Sequence, residues 1–486
     1  MGERTETGVV IVGTGFSGLG MAIQLRKQGR DDFVILEKAD EVGGTWRDNA
    51  YPGCACDIQS HMYSFSFEQN PNWTRSFSPQ PEIWDYLRRV AKKYDLYRHV
   101  RFGQEMTGAR WDSDEHRWHV ATRGGDGFAG KYLVNGVGAL HIPQIPQLAG
   151  IHRFQGETFH SAQWNHDFDV RGKRVAVIGT GASAIQFVPQ LAPDARELTL
   201  FQRTPPWVMP KPDHAMPAWV RALFRAVPGA QRAYRTLLYW LLEARAIGFN
   251  GHPGVMKIGQ RFAKANIDRS IADPRLRAKL TPDYTMGCKR VLISNDYYPA
   301  LARDDVGVNT TGVKEVRAHS VVDGDGVEHE VDAIIYGTGF HVTDAFDTID
   351  MRGPAGRSLR QDWAAGMAAY YGMTVAGFPN MFILVGPNTG LGHNSIVFMI
   401  EAQTEYLAKL LALADARNAK TVTPTPEAQN RFTAAIQRAL TTQVWSAGGC
   451  QSWYLDEHGR NTTLWPASTW DFRRRTRKFD VAAYDV

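Results

Sequence analysis

Two short glycine-rich stretches carry residue types and spacings suited to holding a dinucleotide. The first is VVIVGTGFSGLG, in which Gly13, Gly15 and Gly18 follow a run of aliphatic residues. In such a G-x-G-x-x-G pattern the first glycine turns the chain, the second admits a pyrophosphate to the backbone, and the third lets helix and strand pack closely. The helix that follows offers free N–H groups to phosphate. We therefore predict a dinucleotide site here, with Phe16 among its contacts.

The second stretch, RVAVIGTGASAIQ, repeats this pattern. Gly179, Gly181 and Ala184 occupy its three positions, and Thr180 and Ser183 lie within the same turn. Alanine is allowed at the third position. A lone pattern of this kind is weak, because glycines are common in turns. Here each copy follows a buried-strand signal and precedes a helical signal, so the chain is predicted to bind two dinucleotides.

The residues at one fixed distance beyond each turn distinguish the two cofactors. Glu37 lies 19 residues past Gly18, where an acid accepts hydrogen bonds from a ribose 2′-hydroxyl and repels a 2′-phosphate. Arg203 lies 19 residues past Ala184, and its guanidinium suits a 2′-phosphate. Either residue alone could be a solvated strand end. The matched spacing with opposite chemistry predicts FAD or NAD at the first site and NADP at the second.

The elements that must position these motifs indicate an α/β fold with two Rossmann-like, doubly wound dinucleotide-binding domains. Both patterns read as strand, turn and helix, and further buried-strand signals occur in KYLVNGVGAL and DAIIYGTGF. We expect the NADP-binding domain to be inserted in the FAD-binding domain. The predicted parts are 1–150 (FAD-binding domain, first part), 151–325 (NADP-binding domain, with a helical insertion at about 205–285) and 326–486 (FAD-binding domain, second part, and C-terminal region).

Composition limits the classes of protein. A chain of 486 residues with 43% hydrophobic and 22% charged residues is typical of a globular enzyme of two or three domains. Its formal net charge of +5 is small for this length and argues against nucleic-acid binding. The apolar stretch 237–249 is too short to span a bilayer. We predict a buried helix and no membrane contact, with membrane-surface contact as the minor alternative.

The four cysteines bear on the compartment and on the electron acceptor. They are too few and too scattered for a disulfide framework, which favours a reducing, cytoplasmic location. A flavin that takes hydride from NADPH could pass electrons to a disulfide, but that chemistry needs a C-x-x-C pair. This chain offers only Cys54-Ala55-Cys56, so oxygen is the expected acceptor. No histidine or cysteine spacing fits a metal site, and no metal is predicted.

A third motif carries a family resemblance. FQGETFHSAQW matches F-x-G-x-x-x-H-x-x-x-W through Phe154, Gly156, His160 and Trp164, and it resembles the signature of type I Baeyer–Villiger monooxygenases, which are class B flavoprotein monooxygenases. Related flavin-containing monooxygenases usually have Tyr or Phe in place of the Trp. Asn165 departs from the family, which usually has Pro or Asp there. The stretches GGTWRDNAYPGCACD, CKRVLISNDYY, GTGF and SWY extend the resemblance over nearly the whole chain.

The resemblance implies a function and a set of site residues. Members of the family reduce FAD with NADPH, form a peroxyflavin with O₂ and convert a ketone into an ester or lactone. The signature in the family lies on the link between the two nucleotide domains, and its histidine is implied to act in domain movement and cofactor positioning. The implied residues are the catalytic Arg290 with its partner Asp57, both beside the cofactors; Lys289, Arg203 and Thr204 for the NADP 2′-phosphate; Thr45, Trp46 and Tyr63 for the flavin; Met106 among the cofactor-binding residues; and Trp453 beside the nicotinamide.

Residue chemistry alone leaves alternatives open. Arg290 could belong to a basic strand end, Asp57 could be a turn residue, and Trp453 could be an ordinary packed side chain. The alternative enzyme is a heteroatom-oxygenating flavin-containing monooxygenase that makes sulfoxides or N-oxides, and the alternative outside enzymes is a sensory flavoprotein. The sequence does not identify the ketone, the regio- and enantioselectivity, the oligomeric state or the role of the basic run FRRRTRKF.

Overall fold

The computed structural model describes residues 4–249, 253–342, 344, 348–450 and 452–486. Most of its strands belong to two sheets, one for each glycine pattern. The strands are Arg4–Val12 (β1), Phe33–Leu36 (β2), Val100–Arg101 (β3), Met106–Asp112 (β4), Arg117–Thr122 (β5), Gly127–Asn135 (β6), Glu157–His160 (β7), Arg174–Ile178 (β8), Glu197–Phe201 (β9), Val208–Met209 (β10), Leu292–Ile293 (β11), Val306–Asn309 (β12), Val313–Val316 (β13), Ser320–Asp323 (β14), Glu328–Glu330 (β15), Ala333–Tyr336 (β16), Asp350–Arg352 (β17), Met381–Ile383 (β18), Thr423–Pro424 (β19) and Tyr484–Asp485 (β20).

Helices cover both sheets and form the insertion. The α-helices are Phe16–Lys27 (α1), Thr45–Asp48 (α2), Gln80–Lys93 (α3), Ala184–Leu191 (α4), Ala218–Ala226 (α5), Ala230–Phe249 (α6), Pro253–Ser270 (α7), Pro274–Leu280 (α8), Tyr297–Leu301 (α9), Leu359–Asp362 (α10), Ile396–Ala416 (α11), Pro426–Leu440 (α12), Val444–Ala447 (α13) and Thr469–Arg477 (α14).

The first sheet carries the first glycine pattern. Its strand order is β17-β4-β5-β6-β1-β2-β3, and β18 also pairs with β6. The run from Val9 to Val12 is aliphatic without a break because both faces of β1 are covered. Val9 and Ile11 pack with residues of α1, α3 and α11, whereas Val10 and Val12 pack with residues of β4, β5 and β17. A parallel strand buried on both faces is expected to have this composition.

The second sheet carries the second glycine pattern. Its order is β12-β9-β8-β16-β7, and all of its pairs are parallel. The predicted α/β fold with two Rossmann-like sheets is therefore confirmed. β16, from the stretch DAIIYGTGF, lies between β8 and β7, so this sheet continues past the expected boundary at 325. The hydrophobic run predicts a buried strand but does not indicate which of the two sheets receives it.

The predicted helical insertion at about 205–285 contains α5, α6, α7 and α8. It also contains the short strand β10, which pairs with β11 beyond the insertion. α6 packs against α7 and reaches the first domain through Tyr239, whose ring stacks on Phe398 of α11 at 4.9 Å between centroids. The insertion therefore bridges the two nucleotide-binding units.

A disulfide joins Cys288 to Cys450 across 162 residues, while Cys54 and Cys56 are free and buried. The scattered cysteine positions did not predict this bond. It forms because folding brings the segment before Lys289 against the loop that follows α13. Within the described residues, no helix is both long enough and apolar enough to cross a bilayer.

Candidate active site

The first turn is a tight cradle for phosphate. β1 ends at Val12, Gly13 takes a positive φ of +93°, and α1 begins at Phe16. A Cβ on Gly18 would lie 1.8 Å from the carbonyl oxygen of Gly13, so only glycine fits there. The N-terminal N–H groups of α1 therefore stand at the end of a central strand, where a pyrophosphate can approach the backbone.

Glu37 lies directly after β2, and only 3% of it is exposed. Its carboxylate accepts hydrogen bonds from the Thr14 backbone N–H at 3.1 Å and hydroxyl at 2.5 Å, and from the Ala39 N–H at 3.0 Å. Arg47 forms an ion pair with it at 2.9 Å. Four donors fill the acceptor positions of the two carboxylate oxygens. This acid is held rigidly beside the first turn.

Most residues implied for the flavin meet in one aromatic cluster. The Trp46 indole donates to the Tyr63 hydroxyl at 3.2 Å, and the rings of Phe16 and Tyr63 lie 5.3 Å apart. Burial raises the pKa of Tyr63, so its phenol stays protonated and can donate a hydrogen bond. Thr45 begins α2 beside Trp46. Met106 lies apart from this cluster, because its side chain is buried in the core on the other face of the first sheet.

The second turn has the same construction. Gly179 has φ +105°, and a Cβ there would lie 2.4 Å from the carbonyl oxygen of Gly337. The Thr180 hydroxyl donates to the carbonyl oxygen of Thr204 at 3.2 Å, which joins the turn to the end of β9. Gly181 lies within the turn. Ser183 directly precedes α4, which begins at Ala184.

Arg203 and Lys289 place two cations beside the second turn. Burial lowers the pKa of Lys289, and the positive charge of Arg203 lowers it further. The ammonium of Lys289 lies 5.2 Å from the ring centre of Tyr284. In the described parts of the chain, neither cation forms an ion pair with a carboxylate. Asp283 acts on Lys289 from a greater distance and raises its pKa. Two neighbouring cations that are not closely paired with a carboxylate form a natural anion site.

Arg290 and Asp57 form the central ion pair. The guanidinium donates through Nε at 2.9 Å and through Nη2 at 2.5 Å, both to Asp57 Oδ2. The Arg290 side chain is 35% exposed and that of Asp57 is 27% exposed. The charge of Asp57 raises the pKa of Arg290, so the guanidinium is a permanent cation. This pair brings together two residues separated by 233 positions in the sequence.

The SWY stretch adds a second group to this pair. Tyr454 is 1% exposed, its hydroxyl has no hydrogen-bond partner among the described residues, and the charge of Arg290 acts to lower the pKa of that hydroxyl. Burial raises the pKa of Tyr454 to about 12. Trp453 is 42% exposed, and its ring lies 4.4 Å from that of Tyr454. The Cys288–Cys450 disulfide ties this loop to the segment that carries Arg290.

The signature motif forms the edge of the second sheet. Phe154 precedes β7, which ends at His160, and a Cβ on Gly156 would lie 2.3 Å from the Asp332 carbonyl oxygen. His160 is 1% exposed, burial lowers its pKa, and its ring lies 5.6 Å from that of Phe340. Trp164 packs on Phe187 of α4 at 5.4 Å. The His and Trp therefore do not share a helical face, because the backbone between them is a strand end and a short turn.

Comparison with known proteins places this site in a family. A family model described as FMO-like, flavin-binding monooxygenase-like, matches residues 6–243. A Baeyer–Villiger monooxygenase of Pseudomonas aeruginosa is 53% identical over 479 residues, which are 98% of this chain and 91% of that protein. This chain belongs to the Baeyer–Villiger monooxygenases.

Solved structures agree with this assignment. The closed crystal structure of cyclohexanone monooxygenase matches with a TM-score of 0.90 at 28% identity, over 100% of this chain and 99% of that one. The structure of OTEMO in complex with FAD and NADP matches with a TM-score of 0.89 at 27% identity, over 99% of both chains. The Baeyer–Villiger resemblance carried by the signature is thus confirmed over nearly the full length.

One further residue of this Baeyer–Villiger monooxygenase, Gln186, joins its domains at the site. Gln186 on α4 accepts from the Tyr51 hydroxyl at 3.0 Å and donates to the Ala55 carbonyl oxygen at 2.9 Å. It thereby holds the segment that leads to Asp57 against the second domain. Neither Gln186 nor Tyr454 was predicted from the sequence as a site residue. The SWY stretch was a signal for Tyr454, whereas an isolated glutamine in a helix gives none.

One group of possible metal ligands lies far along the first sheet in this Baeyer–Villiger monooxygenase. Asp112, Glu115 and His119 face one another on the hairpin of β4 and β5. Arg4 donates to Glu115 at 3.1 Å and also contacts His119 at 3.0 Å. An existing ion-pair network therefore accounts for this group, and the absence of a metal requirement stays a prediction.

Proposed function

We propose that this protein binds FAD at the first turn and NADPH at the second, and that it inserts an oxygen atom from O₂ into a ketone to give an ester or lactone. Its family membership and the two phosphate cradles support this function. The observation that carries it is the Arg290–Asp57 pair, a fixed cation that follows Lys289 in the chain and is close enough to Tyr63 to affect its pKa. When bound, the flavin supplies the oxygen-activating redox chemistry, and NADPH supplies the electrons.

The role proposed for Arg290 is to hold negative charge on the reacting oxygens. A guanidinium stays charged at every relevant pH and presents several donors in one plane. Asp57 engages two of those donors through a single oxygen, which leaves the other donors of the 35% exposed side chain for a ligand. Donors aimed in advance at developing charge lower the barrier without reorganisation. Asp57 is thus a positioning residue, and Tyr454 lies close enough to adjust the same charge.

The role proposed for Arg203 and Lys289 is to select NADPH over NADH. The 2′-phosphate would relieve the mutual repulsion of these two cations, which the nearby charge of Asp283 offsets only in part. Thr204 fits beside them because its backbone already closes the turn at Thr180. Trp453, on the exposed loop, would cover the nicotinamide end. His160, which burial keeps neutral, would act in domain movement and cofactor positioning through its place on the link between the domains.

Binding of FAD at the first turn requires a change in the hydrogen bonds of the Glu37 carboxylate. Four protein donors already occupy the carboxylate of Glu37, so a ribose hydroxyl must replace one of them. The Thr14 hydroxyl is the donor that can rotate away, because the other three are backbone groups or a charged partner.

We place the reaction in the cytoplasm, where a freely exchanging NADPH is supplied.

The test is oxygen-dependent NADPH consumption by the purified yellow protein with a mixed panel of ketones and sulfides, with products identified by mass spectrometry. An ester or lactone carrying one ¹⁸O atom from ¹⁸O₂ supports the proposal. Sulfoxides or N-oxides alone, with every ketone untouched, would assign the protein to heteroatom oxygenation. A stop after about one NADPH per flavin would indicate a sensory flavoprotein.

A further inference from the structure

The helical insertion exposes apolar side chains in an ordered way. On α6, Leu237, Trp240 and Leu241 are 57%, 54% and 57% exposed and follow the i, i+3, i+4 spacing of one helix face. Single exposed apolar residues are normal, but repeated ones at helical spacing mark an interaction surface. The set that we call the insertion face comprises Trp219 and Leu223 on α5, Leu237, Trp240 and Leu241 on α6, and Val255, Ile258 and Phe262 on α7.

Positive charge accompanies the insertion face. Between positions 218 and 270 there are two acidic residues, and one of them, Glu243, is only 7% exposed and bonded to Asn394 at 2.7 Å and Thr469 at 2.5 Å. Asp268 is therefore the one exposed acid of these described helices. The nine basic residues of the same stretch are Arg221, Arg225, Arg232, Arg235, Arg245, Lys257, Arg261, Lys264 and Arg269, of which Arg235 is as buried as Glu243 and the other eight are exposed or partly exposed.

The basic end of the chain adjoins this surface. Trp470 at the start of α14 is 50% exposed and lines one surface concavity together with Trp240 and Ala244. Farther along α14, Arg474 and Arg475 are exposed, although both also contact Asp471. The run FRRRTRKF thus continues the cationic border of the insertion face.

We propose that the insertion face docks on the surface of an anionic lipid bilayer. Trp, Phe and Leu side chains can enter the boundary between headgroups and acyl chains, while Arg and Lys contact lipid phosphates. A second copy on a two-fold axis would press the same cations against each other. A nucleic acid would leave Leu237, Leu241 and Ile258 in water. The protein would lie on the membrane without spanning it.

The opposite side of helices α6 and α7 borders the active site. Phe249 at the end of α6 and Met256 of α7 are buried, and a Cβ on Gly287 would lie 2.3 Å from Met256 and 3.1 Å from Phe249. Gly287 is three positions before Arg290. This part of the inference rests on the proposed function: docking would bring membrane-dissolved, apolar ketones next to the site.

The test is flotation of the full-length, flavin-loaded protein with vesicles of pure phosphatidylcholine or of phosphatidylcholine with about a third phosphatidylglycerol. We expect binding to the anionic vesicles that weakens with added salt. Lys257→Ala with Arg261→Ala should lower the partition constant about 25-fold, at about fivefold per cation. Trp240→Gln with Phe262→Gln should abolish flotation.

Controls keep the proposal falsifiable. Val327→Gln removes a 54% exposed apolar side chain between β14 and β15, away from the insertion, and should float like the parent protein. Equal binding by the Trp240→Gln, Phe262→Gln variant, or no binding to either vesicle, overturns the proposal. The proposal is also overturned if the parent protein sediments as a dimer and this variant as a monomer. The insertion face would then be the contact with a second copy. Turnover of a short, water-soluble ketone should be unchanged in every variant, whereas its absence in the parent protein would refute the proposed function instead.

Discussion

Replacing Arg290 with alanine should separate the oxygen-transfer step from flavin reduction. The substitution removes the cation bonded to Asp57 and the free donors of the 35% exposed side chain. Removing one group that stabilises developing oxyanion charge costs about 100- to 1,000-fold in turnover. We therefore expect ketone oxidation to fall by at least about 100-fold. Anaerobic bleaching of the flavin by NADPH should keep its rate, because Lys289 and Arg203 remain.

The same change also leaves Asp57 without its partner, and this stability effect can be separated from catalysis. Breaking a buried pair costs about 3–5 kcal/mol and an exposed one about 0–1 kcal/mol. With side chains 35% and 27% exposed, the pair lies between these limits, at about 1–3 kcal/mol. The double variant Arg290→Ala, Asp57→Asn removes the unpaired charge, so it should regain most of this stability while staying inactive on ketones.

The assays are stopped-flow flavin reduction, product yield by gas chromatography and thermal unfolding of the flavin-loaded protein. Arg290→Lys serves as the matched control for charge. It keeps the cation but loses the two-donor contact, so it should fall between the parent and the alanine variant. Ketone turnover by Arg290→Ala above about a tenth of the parent rate would refute the reasoning, because the loss expected for a charge-stabilising group is far larger.

Three further predictions concern the neighbouring residues. Arg203→Ala should raise the KM for NADPH about tenfold and leave the KM for NADH unchanged, since a charge-assisted hydrogen bond is worth about 1.5–3 kcal/mol. Equal effects on both nucleotides in steady-state kinetics would contradict the phosphate site. Burial and the charge of Arg203 lower the pKa of Lys289, and its positive charge is present only below that pKa. The kcat/KM for NADPH should therefore fall as pH rises through a pKa below that of ordinary lysine. A Lys289→Arg variant with the same pH profile would show that another residue is responsible. In the unfolded but unreduced protein, a maleimide should label two thiols by intact mass and four after reduction, since Cys288 and Cys450 are paired; four labels before reduction would contradict the disulfide.

Local chemistry explains what the sequence could predict. Gly18 must be glycine because a Cβ would collide with the carbonyl oxygen of Gly13, and Gly13 favours glycine because its φ is +93°. Such a constraint acts within one turn, so a pattern of a dozen residues contains it. Glu37 follows its strand at a fixed distance for the same reason. Both fingerprints could therefore be assigned from spacing and side-chain chemistry.

Contacts between distant segments explain what the sequence could not predict. Asp57 and Arg290 were paired only through the family resemblance, because nothing near either residue specifies a partner 233 positions away. The same holds for the Cys288–Cys450 bond and for Gln186, whose hydrogen bonds cross between the domains. The side chain of Met106 is buried in the core by the alternation of β4, and its role at a cofactor stays a prediction.

The disulfide sets a radius of action for the loop that would cover the nicotinamide. Trp453 is three residues beyond Cys450, and an extended chain spans about 3.3–3.6 Å per residue. The Cα atom of Trp453 thus lies within about 10–11 Å of an anchor fixed to the segment of Arg290. The bond therefore limits how far this part of the loop can move away from that segment. Reduction of the bond would remove the limit.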